Sequence, residues 1–170
     1  MIASSLLLTP FVLLCAWAAL KDVTSYTIPN WIPLAMTAAF PFAAMAAGLS
    51  WEAIGLSAAA GAVALVAGMA LFALRVLGGG DAKLLAAVML WLGSPAGVQG
   101  LAVMALAGGA LAVGLLMLRG PMLRPYLLTG PAWLGRLTTP GEGVPYGLAI
   151  VTGALVSLPA SAIARVSLGG

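Results

Sequence analysis

The longest stretches without a charged residue cover residues 23–51 and 84–118, and they limit what this chain can fold into. A bilayer crossing needs about 20 predominantly apolar residues, and each stretch is longer than that. Only 6% of the 170 residues are charged and 63% are hydrophobic, whereas about a quarter of the residues in an ordinary soluble domain are charged. The sequence therefore predicts an all-α membrane protein.

Six membrane spans account for the apolar runs and for the breaks within them. The runs cover residues 1–20, 23–51, 53–74, 84–118 and 143–164. The second run begins with a loop, because Ile28, Pro29 and Asn30 favour an extended segment that gives way to a helix near Trp31. The fourth run is too long for one crossing and is interrupted by Ser94, Pro95, Gly97, Gln99 and Gly100. We expect two spans there, the first of them short.

The basic residues give these spans an orientation. With six spans and the N-terminus outside, only Arg165 lies outside, and the inner loops contain Lys21, Arg75, Lys83, Arg119, Arg124 and Arg136. A five-span arrangement would move Arg119, Arg124 and Arg136 across the membrane and weaken this asymmetry. Because Lys21 follows the first apolar run, that run predicts a span rather than a signal peptide. We expect residues 1–170 to form a single six-transmembrane-helix bundle.

Composition also excludes several kinds of site. The chain has no His, which removes Ser/His/Asp and Cys/His catalysis and most transition-metal sites, and its one cysteine, Cys15, permits no internal disulfide. Scattered bases at span ends form no patch for nucleic acid. We therefore expect no metal, no cofactor and no nucleic acid, and the lipid bilayer as a partner.

Two further expectations concern surfaces. The inner segment 119–143 combines Arg124 and Arg136 with apolar and aromatic residues, among them Tyr126, Leu127, Leu128 and Trp133, and is expected to lie along the headgroups. Small residues inside the spans are expected to let helices approach closely, namely Gly61, Gly68, Gly108, Gly109 and Gly114.

Asp22 and Asp81 are the candidate catalytic residues. Asp22 follows the first predicted span and Asp81 precedes the fourth, so two complete crossings separate them and both face the cytoplasm. Glu52 falls on the opposite side. Two carboxylates held close together share a proton, so that one can activate a water while the other donates to a substrate carbonyl. This pattern indicates aspartic protease chemistry, which needs neither metal nor His.

The glycines before Asp81 favour a site over an ordinary loop. Gly78, Gly79 and Gly80 are expected to let the backbone turn tightly and a substrate strand come close. Lys83 follows two residues after Asp81 and has three open roles: binding a lipid phosphate, favouring the ionised form of Asp81, or meeting an acidic group of a substrate. For Asp22 the simpler interpretation is an interfacial flank paired with Lys21.

These motifs resemble the type IV prepilin peptidases, membrane aspartyl proteases marked by a GxGD sequence. The first likeness is Asp22 followed by Ile28, Pro29 and Asn30, and the second is Gly78 to Asp81 followed by Lys83. The third is Pro145, Tyr146 and Gly147 at the start of the last span, where Tyr146 would bring a hydroxyl to the catalytic face. With only Cys15 and no cysteine-rich insertion, the chain resembles the small, peptidase-only branch associated with Flp-type tight-adherence pili.

The resemblance implies a bacterial inner-membrane enzyme that cleaves the short cytoplasmic leader of prepilins or pseudopilins just before their hydrophobic segment. Asp22 and Asp81 would be the catalytic pair, and N-methylation is not expected. The loop between Asp22 and Ile28 lacks the basic residues that relatives often carry. Glu142 could attract a positively charged leader or simply flank the last span, and Asn30 could bond the loop after Asp22 or cap the second span.

Two functions from other classes stay open at this point. A proton-coupled transporter would use Asp22 and Asp81 as proton carriers, although transporter acids usually sit near the bilayer midplane. A noncatalytic scaffold of a secretion or pilus machine would explain the spans but not the paired aspartate motifs. The pilin that is cleaved and the oligomeric state are not readable from the sequence.

Overall fold

The computed structural model describes residues 2–121, 130–139 and 141–168 of the chain. Over these ranges it contains helices and no strands, which confirms the all-α prediction. The α-helices are α1 (Ile2–Ser25), α2 (Trp31–Ala46), α3 (Trp51–Ala73), α4 (Gly79–Leu92), α5 (Ala96–Leu118), α6 (Ala132–Leu137), α7 (Tyr146–Ser157) and α8 (Ala162–Leu168), with a 3-10 turn at Leu158–Ala160 between the last two.

Three of these helices are long and apolar enough to cross a membrane, namely Leu7–Ser25 within α1, all of α3 and all of α5. Shorter apolar helices cover Trp31–Ala46 and Tyr146–Ala160. The predicted interruption of the run over residues 84–118 is confirmed, because α4 ends before Gly93 and α5 begins at Ala96. Gly93 has a φ of +61°, a left-handed conformation that favours glycine.

The short helix α4 occupies the centre of the bundle. It packs against α2, α3, α5 and α7, and most of its side chains from Ala82 to Leu92 are buried. Trp91 is its largest buried residue. The indole Nε1 of Trp91 donates a hydrogen bond to the Met36 carbonyl oxygen of α2 at 2.8 Å, and its ring lies 4.9 Å from that of Phe11 in α1. These contacts join three helices at one point.

Glycine makes the close helix packing possible at some of the expected positions only. A Cβ added at Gly61 would lie 3.0 Å from Leu90 Cβ, and one at Gly68 would lie 3.0 Å from Ala82 Cβ, so α3 and α4 approach closely there. Gly108 likewise contacts the Tyr146 ring. The expectation is wrong for Gly109 and Gly114, which have open space where a side chain would lie.

The segment between α5 and α7 is only partly described. Arg124, Tyr126, Leu127 and Leu128, which we expected along the headgroups, lie outside the described residues. The described part contains the short helix α6, on which Trp133 and Arg136 are exposed. This segment leads into Pro145, the residue before α7.

Candidate active site

Asp22 lies in the last turn of α1, which continues past the apolar run over residues 1–20 as far as Ser25. In this turn the hydroxyls of Thr24 and Ser25 donate to the carbonyls of Leu20 and Lys21 at 2.7 and 2.6 Å. The helix ends at Tyr26, whose φ is +52°. Asp22 is consequently held on rigid backbone, and its side chain is buried, with 4% of its surface exposed.

The Asp22 carboxylate faces the start of α7. Its Oδ2 accepts a hydrogen bond from the Leu148 N–H at 3.3 Å. A carboxylate at this place also benefits from the positive end of the helix dipole. Gly147 is necessary for the approach, because a Cβ added there would lie 2.8 Å from Asp22 Oδ2.

Asp81 lies in the first turn of α4, which begins earlier than expected. Gly78 is the N-cap residue, and the Asp81 carboxylate lies close over it, where a glutamate would lie in a capping box. One carboxylate oxygen, Asp81 Oδ1, is buried and has no hydrogen-bond partner among the described residues. Buried carboxylate oxygens usually accept a hydrogen bond, so Asp81 Oδ1 can still accept one.

Asp22 and Asp81 line one cavity of about 420 Å³. The charge of Asp22 acts on Asp81, so the two carboxyl groups lie close enough to interact electrostatically. The remaining walls come from the ends of α1 and α3, the start of α4 and the segment before α7, through Tyr26, Phe72, Arg75, Val76, Leu77, Gly78, Gly143, Val144 and Tyr146. Glu52 is exposed at the start of α3 and does not contribute.

The glycine run before Asp81 does not form the tight turn that we expected. Gly79 and Gly80 are already helical, and none of the three glycines has a positive φ. Their smallness serves packing instead. A Cβ on Gly80 would lie 3.1 Å from Ile28 Cβ, and one on Gly78 would lie 2.7 Å from Asp81 Oδ2. The run therefore lets α4 begin against the α1–α2 loop and lets Asp81 fold back over its own N-cap.

Ile28 connects the three parts of the site. It is buried, it faces Gly80 at the start of α4, and its Cδ1 would lie 2.8 Å from a Cβ on Gly147 at the start of α7. Pro29 follows, and its carbonyl accepts from the Ile32 N–H at 3.1 Å as α2 begins. The Ile-Pro-Asn loop thus packs behind the aspartates.

Lys83 and Asn30 face a different groove. The Lys83 ammonium donates to the Asn30 side-chain oxygen at 2.8 Å, and both line a space of about 390 Å³ with Leu34 and Leu65. Lys83 therefore contacts Asn30 rather than Asp81. Asn30 is the N-cap residue of α2, as one of its two interpretations had it, but its side chain forms no capping hydrogen bond and accepts from Lys83 instead.

The third motif lies against the cavity that Asp22 and Asp81 line. Pro145 is buried and precedes α7, Tyr146 lines the cavity with its ring against Gly108, and Gly147 contacts Asp22. Glu142 lies three residues before Pro145. It is exposed, and its charge acts on Tyr26.

Sequence reasoning missed several residues at or beside the cavity, among them Tyr26, Phe72, Arg75 and Arg119. Tyr26 and Arg75 both have a positive φ, +52° and +59°, which is uncommon outside glycine and often accompanies functional sites. Tyr26 could have been noticed from its place between Asp22 and Ile28. The others depend on how helix ends meet, which no local pattern reports.

No group of three or more His, Cys, Asp or Glu side chains that could hold a metal ion occurs within the part of the chain that the structure describes. The chemistry available to the cavity is that of two neighbouring carboxyl groups with backbone donors. Such a pair can take a proton from water and give a proton to a carbonyl oxygen.

Comparison with known proteins agrees with this geometry. A family model described as the type IV leader peptidase family matches residues 9–117, a range that contains Asp22, Asp81 and the glycine run and that ends before Pro145. No curated protein and no solved structure shows detectable similarity. Because the match covers more than half of the chain, the protein belongs to the type IV leader peptidase family.

Proposed function

We propose that the protein is a membrane-embedded aspartic endopeptidase that removes the short leader of prepilins or pseudopilins. The observation that carries this proposal is the convergence of Asp22 and Asp81 on one cavity. Membership of a leader peptidase family supplies the reaction class, and the neighbouring carboxyl groups supply a mechanism that needs no metal.

In the proposed reaction the pair carries one proton. The ionised carboxylate takes a proton from a water molecule, whose oxygen adds to the scissile carbonyl carbon, while the protonated carboxyl gives its proton to the carbonyl oxygen. When the C–N bond of the tetrahedral intermediate breaks, the leaving nitrogen receives the proton that was taken from water. One hydroxyl of the intermediate returns its proton to the other carboxylate, so the new carboxyl group forms and the pair again carries one proton. Asp22 is supported by the Leu148 N–H, and one oxygen of Asp81 has no hydrogen-bond partner among the residues that the structure describes.

The membrane arrangement that fits this chemistry has six spans. They would be α1, α2, α3, the short α4, α5 and the final unit that begins with α7. With the N-terminus outside, the end of α1 and the start of α4 both face the cytoplasm, and the basic residues follow the positive-inside rule. The enzyme would then act as one integral domain at the cytoplasmic face of a bacterial inner membrane.

The substrate would place its apolar segment in the bilayer and its leader in the cytoplasm. The scissile bond must be extended, because a peptide bond within a helix is protected by its own hydrogen bonds. Flp-type prepilins are the class that we propose, since Cys15 is the chain's one cysteine and paired cysteines mark the bifunctional enzymes.

Coexpression with several Flp-type prepilins tests this function. We expect a shorter product on a gel and a product mass that corresponds to loss of the leader at one bond, without an added methyl group. A prepilin with its leader deleted should be unchanged. Absence of cleavage for all prepilins, with the protein present in the membrane, would contradict the proposal and favour a transporter or scaffold.

A further inference from the structure

Arg119 joins the end of α5 to the segment that enters the active site. It is the C-cap residue of α5 and is partly buried. Its Nε donates to the Leu137 carbonyl oxygen at 3.0 Å, and its Nη2 donates to the Gly143 carbonyl oxygen at 2.8 Å. The Arg119 guanidinium therefore holds this segment at two places, Leu137 and Gly143. A planar fork of donors is suited to such a bridge, and the point charge of a lysine is not.

The Gly143 carbonyl that Arg119 binds belongs to a wall of the cavity. Gly143, Val144 and Tyr146 line the cavity with the two aspartates, and Leu148 then supplies the N–H that binds Asp22. A Cβ added at Gly141 or at Gly143 would meet no atom within 4 Å, so side-chain packing does not hold these two glycines. A shift at Gly143 would move the backbone donors at Asp22.

The charge of Arg119 also acts on the phenol of Tyr26, which lines the same cavity four residues after Asp22. Burial raises the pKa of the Tyr26 phenol, so the phenol stays neutral beside the cation. The Tyr26 hydroxyl is buried without a partner of good hydrogen-bond geometry in the described ranges. Arg119 forms no ion pair within the described ranges. It interacts with the two carbonyl oxygens through hydrogen bonds and with Tyr26 through its charge.

We propose that Arg119 is a positioning residue of the peptidase, which fixes the wall from Gly143 to Tyr146 and thereby the backbone donors at Asp22. The inference rests on the proposed function. It assigns to Arg119 more than the role of a basic residue at a membrane surface, which a lysine would fill equally well.

Substitution of Arg119 by Lys and by Gln separates these two roles. The matched control is Arg136→Lys, the same exchange at an exposed position of the same segment. Each full-length protein is purified in detergent, and kcat and KM are measured on a cleaved prepilin. Amide hydrogen exchange is measured over residues 143–148 and over α4. We expect both Arg119 variants to lower kcat by about 10–100-fold with little change in KM, as a displaced catalytic wall would.

Hydrogen exchange provides a readout that does not depend on activity. We expect faster exchange over residues 143–148 in both Arg119 variants, with α4 as in the wild type, and no change for Arg136→Lys. If Arg119→Lys has the kcat and the exchange rates of the wild type, the positioning role is overturned. Faster exchange throughout α4 in the Arg119 variants would also overturn it, because it indicates a general loss of structure. If the wild type cleaves no prepilin, the proposed function fails, while the exchange data still decide whether Arg119 holds this wall.

Discussion

The backbone N–H of Leu148 donates to Asp22 Oδ2 across 3.3 Å and so connects residues that are 126 positions apart in sequence. This contact brings the start of α7 against the end of α1. Because Asp81 comes from the start of α4, the candidate site is assembled from three helix ends that meet only in the finished bundle. The geometry of the backbone around Asp22 should therefore matter as much as the carboxyl group itself.

Gly147→Ala tests that backbone contact. The added Cβ would lie 2.8 Å from Asp22 Oδ2 and 2.8 Å from Ile28 Cδ1, so either the carboxylate or α7 must move. We expect kcat/KM to fall by about 100-fold, because displacements near 1 Å at a reacting group have effects of this size. Gly109→Ala is the control, since its side chain would enter open space. Equal activity of the two variants would show that Asp22 does not need this approach.

Gly80→Ala tests the packing role that the structure gives to the glycine run. Its Cβ would lie 3.1 Å from Ile28 Cβ and 3.3 Å from the Ile28 carbonyl oxygen, which is backbone and cannot rotate away. We expect a loss of about 1–3 kcal/mol in stability, the usual cost of overpacking. In Gly55→Ala, by contrast, the methyl meets nothing within 4 Å, and the helix should gain about 0.5–1 kcal/mol. Thermal unfolding in detergent compares the two, and a stabilised Gly80→Ala would refute the packing role.

Trp91→Phe tests the junction at the centre of the bundle. The exchange removes the hydrogen bond to the Met36 carbonyl and part of the ring that packs on Phe11. We expect a destabilisation of about 1–3 kcal/mol, measured as a lower unfolding temperature in detergent. Trp51→Phe, at a position that is 78% exposed, should change the unfolding temperature little. Similar temperatures for both variants would mean that Trp91 does not hold α2 and α4 together.

Much of the fold could be predicted because apolar runs and their interruptions report directly on helices in this kind of chain. Ser94 and Pro95 marked the break between α4 and α5, and Pro29 marked the loop before α2. The short α4 was predicted as short. Asp22 and Asp81 stood out because acidic residues are rare here, each at the edge of an apolar run. Helix ends were less accurate, since α1 continues past the apolar run through Thr24 and Ser25, whose hydroxyls donate to carbonyls of the same helix.

The rest of the site depends on contacts between distant segments, which local patterns do not encode. The glycine run was expected to turn, whereas Gly80 provides room for Ile28, a residue of another loop. Lys83 had three open roles from its position, one of them at Asp81, and the structure shows that it donates to Asn30. Arg119 carried only a topological role in the sequence, and its two carbonyl partners are set by the path of the following segment.

Cleavage of one prepilin by the wild type, Asp22→Asn, Asp81→Asn and Glu52→Gln tests the central claim most directly. Each variant replaces one carboxyl group by an amide of the same shape, and each must be present in the membrane at the wild-type level. Because water activation requires both carboxyl groups, we expect complete loss of cleavage in the two aspartate variants. Glu52→Gln should cleave as the wild type does, since Glu52 is exposed at the start of α3 and outside the cavity. Undiminished cleavage by Asp22→Asn or by Asp81→Asn would contradict the two-aspartate mechanism.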